Sequence, residues 1–370
     1  MTSPSAASLG DRLASASMFM GTILGTIVLI GVMLSLDLFL ARVDSRESAR
    51  HAASEYSAGI RLLQQGRAND AAERFGAAVA INRSNVNYAL ALGEAQLDDG
   101  RTSEAEATIK ALLDRAGNDG AVNLTMAHVL EHQNRLQEAK AYYHRAIFGR
   151  WGADSTIQRR QARFELIELL AGHGAGGELL AELLPFEETP ADSVALRRRL
   201  GHLFNLAGSP GRAANMFRDL VRRDPTDADA YAGMGDAALA MGNLKTARAD
   251  LAEALRLNPG SAQLERRLAI ADTALSLDPT ARGITAAQRF ARSRGLLART
   301  LAMISPCEAP SPLLDSIVAL LRRSPSTGTS EGDAEALVGR ATVLWNAKPA
   351  RCDRAAPDEV LQVLQTRLAQ

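Results

Sequence analysis

The chain has 370 residues, enough for two domains, and only 4% of them are aromatic. With Ala, Leu, Arg and Glu recurring throughout, this favours helix and excludes a large β domain. Its 42 Lys and Arg are matched by 42 Asp and Glu, leaving no surplus of positive charge to neutralise a run of phosphates, so an extended nucleic-acid surface is excluded as well. The two cysteines, Cys307 and Cys352, belong to no CxxC pair or Cys/His spacing that holds zinc. No cofactor is expected.

After a tail over residues 1–17, no charged residue occurs from Met18 to Leu36, which predicts a transmembrane helix over 18–40. The apolar run ends in Asp37-Leu38-Phe39-Leu40-Ala41-Arg42 without a small-residue cleavage pattern, so it reads as an uncleaved anchor. Gly21 and Gly25 form a G-x-x-x-G along which two such helices can approach and dimerise, although glycine is common in membrane helices anyway. Two signals give opposite orientations. Arg42, Arg46 and Arg50 follow the span while only Arg12 precedes it, which points the carboxyl domain inward. A disulfide between Cys307 and Cys352 points it outward, the alternative being two reduced, buried thiols. The expectation carried forward is a single-pass bacterial inner-membrane protein whose soluble domain faces the periplasm.

A period of 34 follows. Gly59, Gly93 and Ala127 keep this spacing, as do Gly66, Gly100 and Asn134, and Ala71, Ala105 and Ala139. It resumes with Gly201 and Gly235, Gly208 and Gly242, Ala213 and Ala247, and Pro225 and Pro259. Between Ala127 and Gly201 lies one degenerate unit with a six-residue insertion, placed near Phe148 to Gly152, and Phe164, Leu166, Leu169 and Leu170 supply its first helix. Each unit reads as a helical hairpin: an apolar-periodic helix, a turn, and a second helix entered through small residues. A lone hairpin cannot bury its apolar face, but stacked hairpins can. The predicted fold is therefore an all-α solenoid of about six hairpins over 52–261.

These residues resemble the tetratricopeptide repeat, whose signature runs W-x2-L-G-x2-Y, then A-x3-F, then P. Tyr231-x2-Met234-Gly235, Ala247-x3-Leu251 and Pro259 match it, as do Leu200-Gly201, Ala213-x3-Phe217 and Pro225; Leu92-Gly93 with Ala105, and Ala71-x3-Phe75 with Ala78, match in part. No repeat carries the tryptophan, and the first three lack the closing proline. The resemblance implies a right-handed superhelix whose first helices line a concave groove for protein segments. Groove positions carried over from the family are Asn87, Glu94 and Asp98; His128, Glu131 and His132; Arg198, His202 and Asn205; and Asp229 and Asp236.

Residues 262–280 read as a capping helix with Glu265, Arg266 and Arg267 on one side. Over 281–370, helical stretches are expected near 285–303, 313–323, 334–346 and 358–368, with a flexible linker near 324–332. This region either continues the solenoid in degenerate form or makes a small domain stapled by the two cysteines.

Two motifs mislead. His128-Val129-Leu130-Glu131-His132 matches the H-x-x-E-H of zinc peptidases, but lies where the repeat frame already explains its neighbours. The glycine-rich run from Gly172 to Gly177 follows a helix rather than a strand, so it is a hairpin turn and not a phosphate loop. The expected function is a membrane-anchored scaffold or assembly factor of the bacterial envelope that binds partner proteins or peptide segments and is not an enzyme. The alternatives are a structural subunit of a stable membrane complex and a zinc hydrolase using 128–132.

Overall fold

A computed structural model describes residues 9–153, 155–188, 193–307, 312–322, 331–348 and 358–369, with the side chains of 9–28 and of 188 outside the description. Among the described residues there are seventeen helices and one isolated β-bridge. The chain divides into two compact units, 1–166 and 167–370. Each is an all-α stack of hairpins.

The first unit begins with α1, Leu9–Gln64, a single helix that runs without a break from the predicted anchor into the first hairpin. No glycine or proline occurs from residue 32 to residue 58 to interrupt it. The predicted span at 18–40 therefore has no end of its own, and its residues 18–28, with Gly21 and Gly25, lie outside the described side chains. Among the described residues no helix is long and apolar enough to cross a membrane. The following helices are α2 (Ala68–Ile81), α3 (Val86–Asp98), α4 (Thr102–Ala116), α5 (Gly120–His132) and α6 (Leu136–Phe148), with the unit boundary inside α7 (Ser155–Gly172).

One physical rule builds every hairpin. The turn residue adopts a left-handed backbone at Gly66, Gly100, Asn134, Gly174, Gly208 and Gly242. The residue that follows this turn residue then returns its N–H to a carbonyl five residues back, as in Arg67 to Leu62 at 3.0 Å, Arg101 to Gln96 at 2.8 Å and Asn243 to Ala238 at 2.8 Å. Within the hairpin, a small residue on the first helix receives a large one sixteen positions later. A Cβ on Gly59 would lie 2.5 Å from the Phe75 ring, and one on Gly235 2.6 Å from Leu251 Cγ. The 34-residue pattern is thus the spacing of close backbone approach.

The insertion takes a form that the sequence did not specify. Helix α7 has 18 residues where α5 has 13, and the loop before it is tied back onto the start of α5. Gly120 N–H donates to Arg150 O at 2.8 Å and Arg150 N–H to Asn118 O at 2.7 Å. The Trp151 ring fills the space over Gly120, where any Cβ would stand 2.2 Å from it, and its Nε1–H donates to Ala146 O at 2.8 Å.

The second unit continues with α8 (Gly176–Glu188), α9 (Val194–Leu206), α10 (Pro210–Arg223), α11 (Ala228–Ala240), α12 (Leu244–Leu257) and α13 (Ala262–Leu277). It ends with α14 (Ala286–Ile304), α15 (Pro312–Arg322), α16 (Glu331–Asn346) and α17 (Glu359–Leu368). Residues 331 and 332 of the expected linker are helical, and 323–330 lie outside the described residues. The tail shares one core with the repeats: Leu239, Leu244 and Leu251 of the last repeat hairpin pack in the same cluster as Leu296, Ile304, Ile317, Leu344 and Leu361. Helix α17 lies against the α11–α12 turn, its Arg367 backbone 3.0 Å from where a Cβ of Gly242 would be. Arg299 holds its start through two hydrogen bonds to Asp358, at 2.7 and 3.1 Å. Among the described residues no cysteine is a free thiol; Cys352 lies outside them, so its pairing with Cys307 remains a proposal.

Candidate functional site

Each first helix divides its faces by the same logic. Small and aliphatic residues turn toward the second helix, and polar residues three or four apart share the opposite face. Short polar caps start these helices: Asn85 accepts from Asn87 N–H at 3.0 Å, Asp119 from Val122 N–H at 3.1 Å and Asp227 from Ala230 N–H at 2.9 Å.

In the first unit the polar face of α3 carries Asn87, Glu94 and Asp98, all exposed, and that of α5 carries His128, Glu131 and His132. Thr125 Oγ1–H donates to Glu94 at 3.3 Å. Glu94 is reachable from solvent, yet protein crowds it from several sides. This desolvation raises its carboxyl above the usual range, with Asp98 adding to the rise and Thr125 and His128 opposing it. His128 Nε2 lies 2.7 Å from Glu165 on α7. Burial pushes the Glu165 carboxyl up, but His128 and Gln161 more than offset this and hold it below the usual range.

The Tyr143 hydroxyl donates to Glu131 at 2.7 Å, and burial together with this acceptor keeps the phenol protonated well above its ordinary range. The residues of the H-x-x-E-H pattern are therefore engaged separately, His128 with Glu165 and Glu131 with Tyr143. Among the described residues no group of three His, Cys, Asp or Glu is placed to hold a metal ion.

In the second unit Arg198 on α9 donates to Asp227 at 2.8 Å and approaches Asp229 to 3.9 Å. A cavity of about 400 Å³ opens beside this pair, with Val194, Leu220, Thr226 and Asn258 in its wall. His202 sets its ring edgewise on Phe217, centroids 4.9 Å apart. Burial, with Arg267 and Arg199 nearby, lowers the pKa of this imidazole. Asp236 on α11 pairs with Arg267 on α13; burial nevertheless pushes its carboxyl up to about 6 against the pull of that guanidinium. Asn205 Oδ1 is buried with no hydrogen-bond partner among the described residues.

The nominated residues thus fall into two groups, one in each unit. Sequence reasoning missed Thr125, Glu165, Asp227 and Arg267, which complete them. Asp227 and Arg267 were findable. Caps at Asn85 and Asp119, and at Ser193, Asp227 and Ser261, follow the 34-residue spacing, and extending that frame past Ser261 puts Arg267 on another first helix. What both groups offer is partly paired charge and hydrogen-bonding capacity on an accessible face. That suits noncovalent recognition of an extended polar segment.

The tetratricopeptide repeat family model matches residues 62–123 and 205–269. Among solved structures, a tetratricopeptide repeat protein from Parabacteroides merdae is similar at 14% identity over 79% of this chain and 99% of that one, with a TM-score of 0.42. The C-terminal part of a repeat protein from Cytophaga hutchinsonii is similar at 11% identity over 81% and 99%, TM-score 0.45. YrrB, described as having an unusual peptide-binding site, is similar at 18% identity over 53% and 97%, TM-score 0.43. No curated protein matches. The matched segments lie on α1–α5 and α9–α13 and span about a third of the chain, and with the turn-and-small-residue rule in the hairpins of both units the fold is an all-α, tetratricopeptide-like solenoid.

Proposed function

We propose that this protein is a membrane-anchored scaffold whose first-helix faces capture segments of partner proteins. The observation that carries this reading is the recurrence, hairpin after hairpin, of accessible polar side chains on the first helices: Glu94 and Asp98, His128 and His132, Arg198 and His202, Asp229 and Asp236. The repeat architecture requires the buried face of each helix but not the chemistry of this one. Polar side chains there set which partner segment is accepted, through charge and hydrogen bonding.

The anchor rests on a different observation. Leu29, Ile30, Val32, Met33, Leu34, Leu36, Leu38, Phe39 and Leu40 are each more than half exposed, and together they cover every side of α1. A helix that is apolar all round belongs in a large core or in lipid, and among the described residues of its unit none covers this stretch. We place it in a bacterial inner membrane, with the repeats on the periplasmic side and Cys307 bonded to Cys352. Thiol alkylation on native membranes, with and without reductant, tests that side: both thiols blocked until reduction supports it, and free alkylation places the repeats in the cytoplasm.

The binding reading is tested by purifying the tagged full chain with its partners from native membranes. Arg198→Glu combined with Asp229→Lys is expected to lower partner recovery about tenfold while the helical circular dichroism is unchanged. Recovery unchanged by both substitutions contradicts the reading. A partner that survives a high-salt wash as well marks a permanent complex subunit, because large apolar interfaces are little screened.

A further inference from the structure

We infer that the insertion between the third and fourth hairpins carries a second docking surface, separate from the first-helix faces, for an acidic partner segment bearing an apolar side chain. Residues 139–164 hold Lys140, Arg145, Arg150, Arg159, Arg160 and Arg163 against a single acid, Asp154, in a chain whose net charge is zero. Elsewhere arginines meet carboxylates, as Arg74 does Glu55 and Arg135 both Glu106 and Glu138. Arg145, Arg150 and Arg159 are exposed and form no ion pair among the described residues. Arg145 lies over the Tyr142 ring, 4.7 Å from its centroid, and Arg159 donates to Gly149 O at 3.0 Å. Their positions are set by neutral groups, and their charge is left for something else.

Two large apolar side chains stand among these cations, Phe148 at 72% and Ile157 at 67% exposed. The repeat does not require Phe148: the same position is Ala80 and Asp114 in the two preceding hairpins. Beneath it opens a cavity of about 430 Å³ lined by Gly117, Asn118, His144, Arg145 and Phe148. The bridge from Arg150 to Asn118 and Gly120, with Trp151 packed over Gly120, holds this surface in shape before any partner arrives. A cavity with an aromatic wall accepts a side chain, and the guanidinium groups of Arg145, Arg150 and Arg159 accept carboxylates. A polypeptide segment supplies both together, whereas a flat lipid surface reaches the exposed tips and leaves the cavity empty.

The test uses the full chain in nonionic detergent and a fluorescein-labelled peptide in which glutamates flank one leucine and one phenylalanine, followed by fluorescence anisotropy. Saturable binding is expected, weakened about tenfold or more by Arg145→Glu with Arg159→Glu and also by Phe148→Ala, and unchanged by Arg198→Glu. These side chains are exposed, so the variants are expected to keep the wild-type melting temperature; a control peptide with lysines for glutamates is expected not to bind. Absence of saturable binding, equal binding by all variants, or loss through Arg198→Glu instead overturns the inference. So does a wild-type protein that ignores the peptide while the Arg145 and Arg159 pair controls its affinity for phosphatidylglycerol nanodiscs over phosphatidylcholine ones. Because the first-helix reading is tested at Arg198 and Asp229, either surface can fail without the other.

Discussion

A Cβ on Gly233 would stand 2.4 Å from Phe217, and one on Gly201 2.7 Å from the same ring. Phe217 is wedged between first helices of successive hairpins and cannot retreat from either. Gly233→Ala is therefore expected to destabilise the second unit by about 1–3 kcal/mol through overpacking, measured by urea denaturation. At Gly76, which meets no atom within 4 Å, Ala is expected to be neutral or stabilising by about 0.5–1 kcal/mol.

A second test at this scale concerns Asp250, whose Oδ2 is buried without a hydrogen-bond partner among the described residues. Burial pushes this carboxyl up to about 6, against the pull of Arg218. The folded protein thus keeps the proton to higher pH than the unfolded chain, whose aspartates ionise near about 3.9. The resulting stability is present at acidic pH and lost as pH rises through about 6. Asp250→Asn is expected to raise the melting temperature at pH 8 and to leave it unchanged at pH 4; equal effects at both contradict the assignment. The close approaches were readable from the sequence because glycine recurs at fixed spacing. The ionisation of Asp250 was not, because it depends on what surrounds the carboxyl and not on its position in the repeat.

At the scale of elements, one residue does two jobs at the start of α11. Asp227 Oδ1 caps the helix and Oδ2 accepts from Arg198. Asp227→Ala is expected to cost about 1–2 kcal/mol of stability from the lost cap alone, while Asp227→Asn keeps most of it, since the amide oxygen still accepts from Ala230 N–H. Helix α17 is the second case. Leu361 is fully buried in the core shared by the last repeat hairpin and the tail, so Leu361→Ala is expected to cost about 2–5 kcal/mol and to shift the unfolding of both together. A transition affecting the tail alone contradicts the shared core.

Helix existence was readable throughout, down to the four stretches after residue 281, because apolar periodicity and short polar caps act locally. What escaped was nonlocal. That the tail closes onto α11 and α12 depends on Leu361 joining one cluster with Leu251 and Leu296, residues too distant in sequence for any period to mark. The uninterrupted run of α1 was not marked either: the segment between the anchor expected over 18–40 and the repeats expected from 52 was assigned no structure, and no glycine or proline occurs there to end a helix.

For the whole molecule, recognition is divided from stability. Buried faces hold the hairpins together, while the accessible faces of the first helices and the basic insertion are the surfaces we propose meet other molecules. Candidate groove positions were readable only because the repeat frame assigns each residue a face. The ion pairs joining successive first helices, such as Asp236 with Arg267, required the stacking itself. The central claim is that the first-helix face is the capture surface, and site-specific photocrosslinking in the native host tests it most directly. A photoreactive residue would be placed at Glu94, His202 or Asp229 on first helices, and at Glu104, Arg222 or Lys245 on second helices as controls. Crosslinks to one discrete partner polypeptide from the first three positions and not from the controls are the predicted result; equal crosslinking from both sets, or from the controls alone, contradicts it.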